Sequence, residues 1–362
     1  MQPTPSSGGQ AWWQQPGQPH APAAPAWVLA APREAPTIPA PTIPPRPRAA
    51  PPASGAPTSG APAGPLDVRS LIHPTENSRY ALALSVSLLV FGVVAIGTVA
   101  SGGSMILLGV LLFLIVLGAF IWFSLQIVRS RLLGGAVRVS ETSLPSLQAV
   151  FDEIRALLDY HKQVDVYVAD KVSGGSAMSS YLGTRIILLE GGLVAELLEE
   201  GRRAELTFLI GRHIGQLKAR HQRLQWIMIV ISAVDKLKFL QFFLAPYFRA
   251  TAKSGDQIAA ACCGDIRATA RTMNRLLAGK ELGPQLNIGG VLDQAVTVRK
   301  RWLPRLAQLF QNEPHATNRY LNLLAFYAQT APDQINAWRA TLDPATASRL
   351  AAVLNGSHRR RW

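Results

Sequence analysis

The chain reads as an α+β protein, mostly α-helical with a small β-sheet, that carries a two-helix transmembrane hairpin ahead of its folded domain. Three observations predict this. Two uncharged apolar runs, Ala81–Ala100 and Met105–Val128, are each long enough to cross about 30 Å of hydrocarbon as helices. Two short runs of β-branched and aliphatic residues, Val164–Ala169 and Arg185–Leu189, have strand character. From Gly191 onward, apolar residues recur at helical spacing almost without interruption. A hydrophobic fraction of 48% over 362 residues, with a mean hydropathy of +0.16, agrees with membrane segments.

Residues 1–66 hold 18 of the 26 prolines, together with Ala, Ser, Gly and Gln. Such a composition cannot bury enough apolar surface to offset chain entropy, so a disordered, partly polyproline II tail is expected. Trp12, Trp13 and Trp27 are unusual there, either as anchors for a partner or the bilayer interface or as incidental hydrophobics. Pro41–Pro44 and Pro44–Pro47 have the spacing of proline peptides that bind grooves, as a partner of the tail would require.

A juxtamembrane stretch, 67–80, leads into the hairpin over 81–128. Its turn, Ser101-Gly-Gly-Ser104, is uncharged, while Arg79 flanks the near end and Arg129 and Arg131 the far end. The positive-inside rule then places both termini in the cytoplasm. A cleaved signal peptide is not expected, because a long proline-rich tail precedes the first apolar run. The net charge of +14 is uneven: residues 1–66 contribute +2, residues 67–128 zero and residues 129–362 +12. That excess suits an anionic lipid leaflet. Nucleic acid is not an expected partner, since the basic residues are scattered and no recognition motif accompanies them. The two cysteines, Cys262 and Cys263, are adjacent and fit a reducing compartment.

The folded domain is expected over 134–354, followed by a basic tail, 355–362. Ser143 is placed to cap a helix with Pro145 in its first turn, running through Leu147, Phe151, Ile154 and Leu158. After the two strands and their Gly/Ser-rich connection, helices are expected at Leu193–Glu200, Arg203–His221, Leu224–Arg249, Asp256–Leu277, Leu292–Phe310, Thr317–Gln329 and Asp333–Leu354. Within the third, Trp226–Val234 and Phe239–Phe248 are apolar but separated by Asp235, Lys236 and Lys238. Each half is too short to span and charge is costly at the bilayer centre, so an interfacial or buried helix is expected rather than a third crossing.

Residues 211–221, Gly-Arg-His-Ile-Gly-Gln-Leu-Lys-Ala-Arg-His, carry the chemistry of the reading. They resemble the Gly-His-Glu-Leu-Gly-His-Ile-Lys-Ala-Gly-His stretch of membrane zinc metallopeptidases of the HtpX and CAAX-prenyl-protease type. In such a helix two His at i and i+4 hold zinc and the Glu between them is the general base. Gly211, Gly215, Lys218, Ala219 and His221 match, but Arg212 and Gln216 stand at the two His positions and His213 at the Glu. The resemblance extends over roughly 140–330. Val166–Asp170 is similar to the family's first strand, and Ser176-Ala177-Met178 to the step into its edge strand. Arg185–Leu193 is similar to the strand and turn before the active-site helix. Asp256 aligns with the Asp of the family's Glu-x-x-x-Asp pattern, whose Glu, the third zinc ligand, is Ala252 here. Glu313-Pro314 stands for a His-Pro, and Arg319 for the Arg six residues later. The resemblance implies a bacterial inner-membrane protein with an α+β metallopeptidase-like domain.

Zinc in that chemistry needs three protein ligands and an open position for water. Arg212, Gln216 and Ala252 supply none of that set, and a guanidinium has no lone pair to give. The expectation is therefore a pseudoenzyme with no cofactor. Its partners would be the bilayer and a protein or peptide held in the vacated groove. Arg212 and Gln216 are expected to fill the former metal cavity, bonding Asp256; the sharper alternative is that Arg212 binds an acidic peptide group or a lipid phosphate. His213 lies in the apolar stripe of Leu206, Leu209, Ile210, Ile214 and Leu217, as a hydrogen-bonded core histidine would. Gly211, Gly215 and Ala219 suggest close helix packing. Arg212, His213, Gln216, His221, Asp256 and Arg319 are the candidate binding residues of the old site. Other readings are an active protease with an unorthodox site, a metal site built from His213, His221, Asp256 and Asp265, and a basic membrane-surface scaffold. Ser173–Ser176 is too short for a phosphate loop, and no nucleophile elbow is present.

Overall fold

The computed structural model describes residues 64–101, 103–172, 175–181, 184–199, 201–233, 235–309 and 311–358. The tail expected over 1–66, with its tryptophans and proline motifs, lies outside the described residues as far as 63. Its last residue does not behave as tail: the Leu66 amide donates to Leu157 O at 2.8 Å, and Leu66 and Val68 pack on the core.

Thirteen α-helices and four strands are described. Helices α1 (Glu76–Ala100) and α2 (Ser104–Gly135) are both long and apolar enough to cross a membrane. Leu88, Leu89, Ile96, Phe120 and Trp122 remain exposed on them. Hydrocarbon is the solvent that such a surface matches.

The four-stranded mixed sheet comprises β1 (Val137–Arg138), β2 (Asp165–Ala169), β3 (Ser176–Tyr181) and β4 (Thr184–Glu190), in the order β1-β2-β4-β3. Strands β2 and β4 are parallel, with Tyr167 opposite Leu188, while β3 runs antiparallel to β4 with Met178 opposite Ile187. β1 was not expected. β3 turns part of the Gly/Ser-rich connection into an edge strand, at the position that the resemblance gave to Ser176–Met178. Cross-strand bonding overrides the weak strand propensity of Ser and Ala.

Helix α3 (Pro145–Leu157) begins without the expected cap. Leu144 is its N-cap, and the Ser143 hydroxyl donates instead to Arg138 O. Helices α4 (Gly191–Glu199) and α5 (Arg203–Lys218) follow β4. The long helix expected over Leu224–Arg249 is broken into α6 (Gln225–Ala233), a 3-10 segment (Asp235–Leu240) and the start of α7 (Gln241–Cys263). Asp256 does not open a helix but lies in the middle of α7. The break falls at Gly264, whose φ of 65° is open to glycine, and Asp265 then caps α8 (Ile266–Leu282) by accepting from Arg267 N at 2.7 Å. The helix expected over Leu292–Phe310 is likewise two, α9 (Ile288–Lys300) and α10 (Trp302–Leu309), separated by extended backbone at Arg301. After α11 (Ala316–Thr330), the last expected helix divides into α12 (Pro332–Arg339) and α13 (Pro344–His358). There Pro344 opens the new helix and Asp343 accepts from Thr346 N at 2.9 Å. α13 therefore runs into the expected basic tail as far as His358.

Three apolar clusters hold these elements. One joins the sheet to α3, α4 and one side of α5. A second gathers α8, α9, α11, α12 and α13 around Phe208 of α5. The third packs Ala83 of α1 against Leu224, Ile227, Leu244 and Tyr247, so that α6 and α7 lie on the base of the first apolar helix. Neither α6 nor the start of α7 is a candidate span, and Trp226, Phe239 and Phe242 stay exposed beside α1. Helix α5 is the hub. A Cβ on Gly215 would collide with Ile258 of α7, and one on Gly211 would approach Cys262 Cβ to 3.1 Å. The four-residue glycine spacing lets α5 and α7 touch nearly backbone to backbone.

Candidate functional site

A cavity of about 520 Å³ opens beside that contact. Ser176, Ala177 and Met178 of edge strand β3 form one wall, while Arg212, His213 and Gln216 of α5 form the floor. Ala252 of α7, His221 and Glu313 complete the rim. The helical period explains the floor. Ile214 and Leu217 are buried in the sheet-side core, which turns Arg212 and Gln216 toward the opening and leaves His213 at the boundary between core and cavity.

Asp256 lies beneath the floor with no exposed side-chain surface. Arg319 of α11 donates to both its oxygens, Nε to Oδ2 at 2.7 Å and Nη2 to Oδ1 at 2.8 Å. Arg212 Nε approaches Oδ1 at 3.2 Å as an ion pair without hydrogen-bond alignment. One buried carboxylate thus serves two guanidinium groups unequally. Burial works against the charge of Arg319, yet pairing with Asp256 outweighs it and holds its pKa above the ordinary value. Burial and repulsion from Arg319 push Arg212 down to about 10, so it remains protonated at neutral pH. The expected bond from Arg212 to Asp256 is present as this ion pair. For Gln216 it is not: among the described residues its amide makes no bond to Asp256, and it lies against Gly255, where a Cβ would come within 2.6 Å of Nε2.

His213 is 4% exposed, and its Nε2 shares a hydrogen bond with Ser176 Oγ at 2.9 Å. Burial, then Arg212 and Arg319, push its pKa down to about 3, so the imidazole is neutral near pH 7. It packs as a buried histidine while also facing the cavity.

His221 ends the segment and pairs with a different carboxylate, that of Glu76. Its Nε2 is 3.2 Å from Glu76 Oε1 at the start of α1. Ser254 Oγ donates to the other Glu76 oxygen and accepts from His73 N at 2.9 Å, while Tyr247 OH donates to His221 O at 3.1 Å. This buried cluster fastens the entry of the first apolar helix to α7. Glu76, His73 and Ser254 were not found in the sequence, because a separation of 178 residues leaves no local spacing to read.

The donor set does not fit zinc. Arg212, Gln216 and Ala252 stand where the resemblance puts ligands, and Asp256 already answers two cations. Among the described residues, no group of three or more His, Cys, Asp or Glu side chains is gathered as a metal ion requires. His213, His221, Asp256 and Asp265 are not assembled into one: His213 bonds Ser176, His221 pairs with Glu76, and Asp265 caps α8. What the site offers is a groove with a cationic floor beside a strand edge that no described strand covers. Set against known proteins, the chain matches no protein-family model, no curated protein and no solved structure.

Proposed function

We propose that this chain is a membrane-anchored, non-catalytic relative of the HtpX and CAAX-prenyl-protease type metallopeptidases that holds an extended peptide of a protein partner in its groove. The observation that carries the reading is the closed Arg319–Asp256–Arg212 set, which lies under a groove whose wall is the edge of β3 that no described strand covers. An exposed edge strand takes an added strand through main-chain hydrogen bonds, and the neighbouring pocket then selects side chains. A guanidinium in a ligand position repels a divalent cation, so peptide binding is not followed by hydrolysis. In this reading α1 and α2 form the hairpin, with the groove and both termini on the cytoplasmic side.

The test uses purified full-length protein with a photo-crosslinking residue at Met178, and a second sample with it at Val137 on the opposite sheet edge. Unfolded casein should crosslink at 178, not at 137, and should remain uncleaved, with less than stoichiometric zinc by elemental analysis. One zinc per chain, lost to a chelator together with casein cleavage, overturns the reading. Equal crosslinking at both edges removes the groove from it. Thiol labelling in intact cells, on a background without Cys262 and Cys263, should find position 104 outside and position 354 inside; the reverse would invert the topology.

A further inference from the structure

A second cavity, of about 330 Å³, lies at the foot of α1 on a neighbouring face of α7. Arg79 of α1, Arg249 and Lys253 of α7 and Arg299 of α9 line it, with Asn318 and Asn322 of α11. None of its described lining residues is an Asp or Glu. This sets it apart from the other buried charge of the molecule, where Glu205 answers Arg271 and Arg275 and Asp256 answers Arg319.

Among the described residues, Arg79, Arg249 and Lys253 are positioned but pair with no carboxylate. Arg249 Nη1 donates to Gln308 O at 2.7 Å and Gln311 O at 2.8 Å, and Arg79 Nη1 to Pro246 O at 3.3 Å. Carbonyl oxygens orient a guanidinium and leave its charge in place. Lys253, one turn from Arg249, has neither a hydrogen bond nor an ion pair among the described residues. Burial and repulsion from Arg79, Arg249 and Arg299 push its ammonium down to about 8. Like charges brought this close at a half-buried site repel strongly, and an anion that enters relieves the repulsion while accepting their free donors.

The place narrows the anion. Arg79 stands two residues before Ala81, where the first uncharged apolar run begins. Tyr80 and Tyr247 pack beside it with ring centroids 5.6 Å apart, an aromatic pair of the sort that sits at headgroup level. We propose that this cavity binds a phosphate group, at the level where α1 would leave the bilayer and phospholipid headgroups would lie. Guanidinium groups grip phosphate oxygens through paired N–H donors, and a lysine adds a point charge. The proposal does not depend on what the groove holds.

The experiment uses full-length protein in a zwitterionic detergent, titrated separately with short-chain phosphatidic acid, the diacylglycerol bearing the same tails, and inorganic phosphate. Retention is read by native mass spectrometry and by thermal shift. Phosphatidic acid should be retained and diacylglycerol not, and Lys253→Met should weaken retention by roughly tenfold or more. Lys253→Arg should preserve it, and Arg267→Gln, exposed on α8, should leave it unchanged. Arg79→Gln gives the same answer should Lys253→Met not fold. If inorganic phosphate competes at equal affinity, the phosphate site stands with a soluble source; if only the lipid binds, it stands with a membrane source. Diacylglycerol retained as tightly as phosphatidic acid overturns the proposal. So does a Lys253→Met or Arg79→Gln protein that binds phosphatidic acid as well as Arg267→Gln does.

Discussion

Lys253 and Asp256 stand three residues apart on α7, and their charges are resolved in opposite ways. Asp256 is wholly buried, with Arg319 clamped on both oxygens and Arg212 beside it. Lys253 faces three arginines and, among the described residues, no carboxylate. A buried ion that has its partners belongs to the scaffold, because removing either side strands the other. A cluster left with one sign of charge is incomplete without something from outside. The sequence pointed to Asp256 as a site residue and passed over Lys253, and geometry gives the two opposite standing.

The sharpest way to break this comparison is to neutralise each in turn. Asp256→Asn leaves two guanidinium groups uncompensated and should cost about 3–5 kcal/mol, lowering the melting temperature by roughly 10 °C. Lys253→Met removes a like-charge neighbour and should be neutral or mildly stabilising without added phosphate. Thermal unfolding of both in one detergent decides it, and equal losses would show that Lys253 has a structural partner.

Arg212→His comes next. It abandons the weaker arm of the Asp256 set, should cost about 1–3 kcal/mol, and should gain no metal because one ligand is not three. Combining Arg212→His with His213→Glu, Gln216→His and Ala252→Glu restores the pattern of the resembled family around one cavity. That variant should bind zinc in elemental analysis. A folded variant without zinc would mean that Ala252 or the helix register has been wrongly aligned.

His213 gives a pH effect of known sign. Its folded pKa of about 3 lies below the ordinary value of 6.5, so the unfolded chain binds the proton first and stability falls as pH drops below about 6.5. The loss reaches about 2 kcal/mol near pH 5 and continues toward about pH 3. His213→Gln should flatten the melting-temperature difference between pH 7 and pH 5; an unchanged difference would show that the imidazole is more open to water than its burial indicates. The smallest effect concerns the tail. Deleting 1–66 should cost about 1–2 kcal/mol more than deleting 1–63, because only the longer deletion removes Leu66 with its bond to Leu157. Equal melting temperatures would return Leu66 to the tail.

The helices were the most legible part of the fold, because a 3.6-residue apolar period survives in the sequence whatever the helix packs against. Their ends were less so. The Leu224–Arg249 and Asp333–Leu354 periodicities run on through breaks made by a 3-10 turn and by Asp343-Pro344. Strand β3 was hidden from periodicity, and only the resemblance placed an edge strand near Ser176–Met178, because Ser176–Ser180 acquires strand geometry from pairing with β4. At the groove, the resemblance brought forward Arg212, His213 and Gln216, while helical spacing alone put Arg212 and Gln216 on one side of α5 and His213 in its apolar stripe. The sequence misjudged Gln216, whose amide reaches Gly255 and not Asp256.

The sequence by itself determined what is local. Two uncharged runs are long enough to span a membrane, one helix period turns 212 and 216 the same way, and the side chains of Arg212 and Ala252 carry no lone pair to offer a metal. These follow from chain length, pitch and the lone pairs of single side chains. Only the tertiary structure decided which charges meet. Glu76 reaches His221 and Ser254, Asp256 reaches Arg319 across 63 residues, and Arg79, Arg249, Lys253 and Arg299 converge from three helices on a cavity with no Asp or Glu among its described lining residues. Coulomb energy depends on distance in space and on burial, and neither is written in sequence separation.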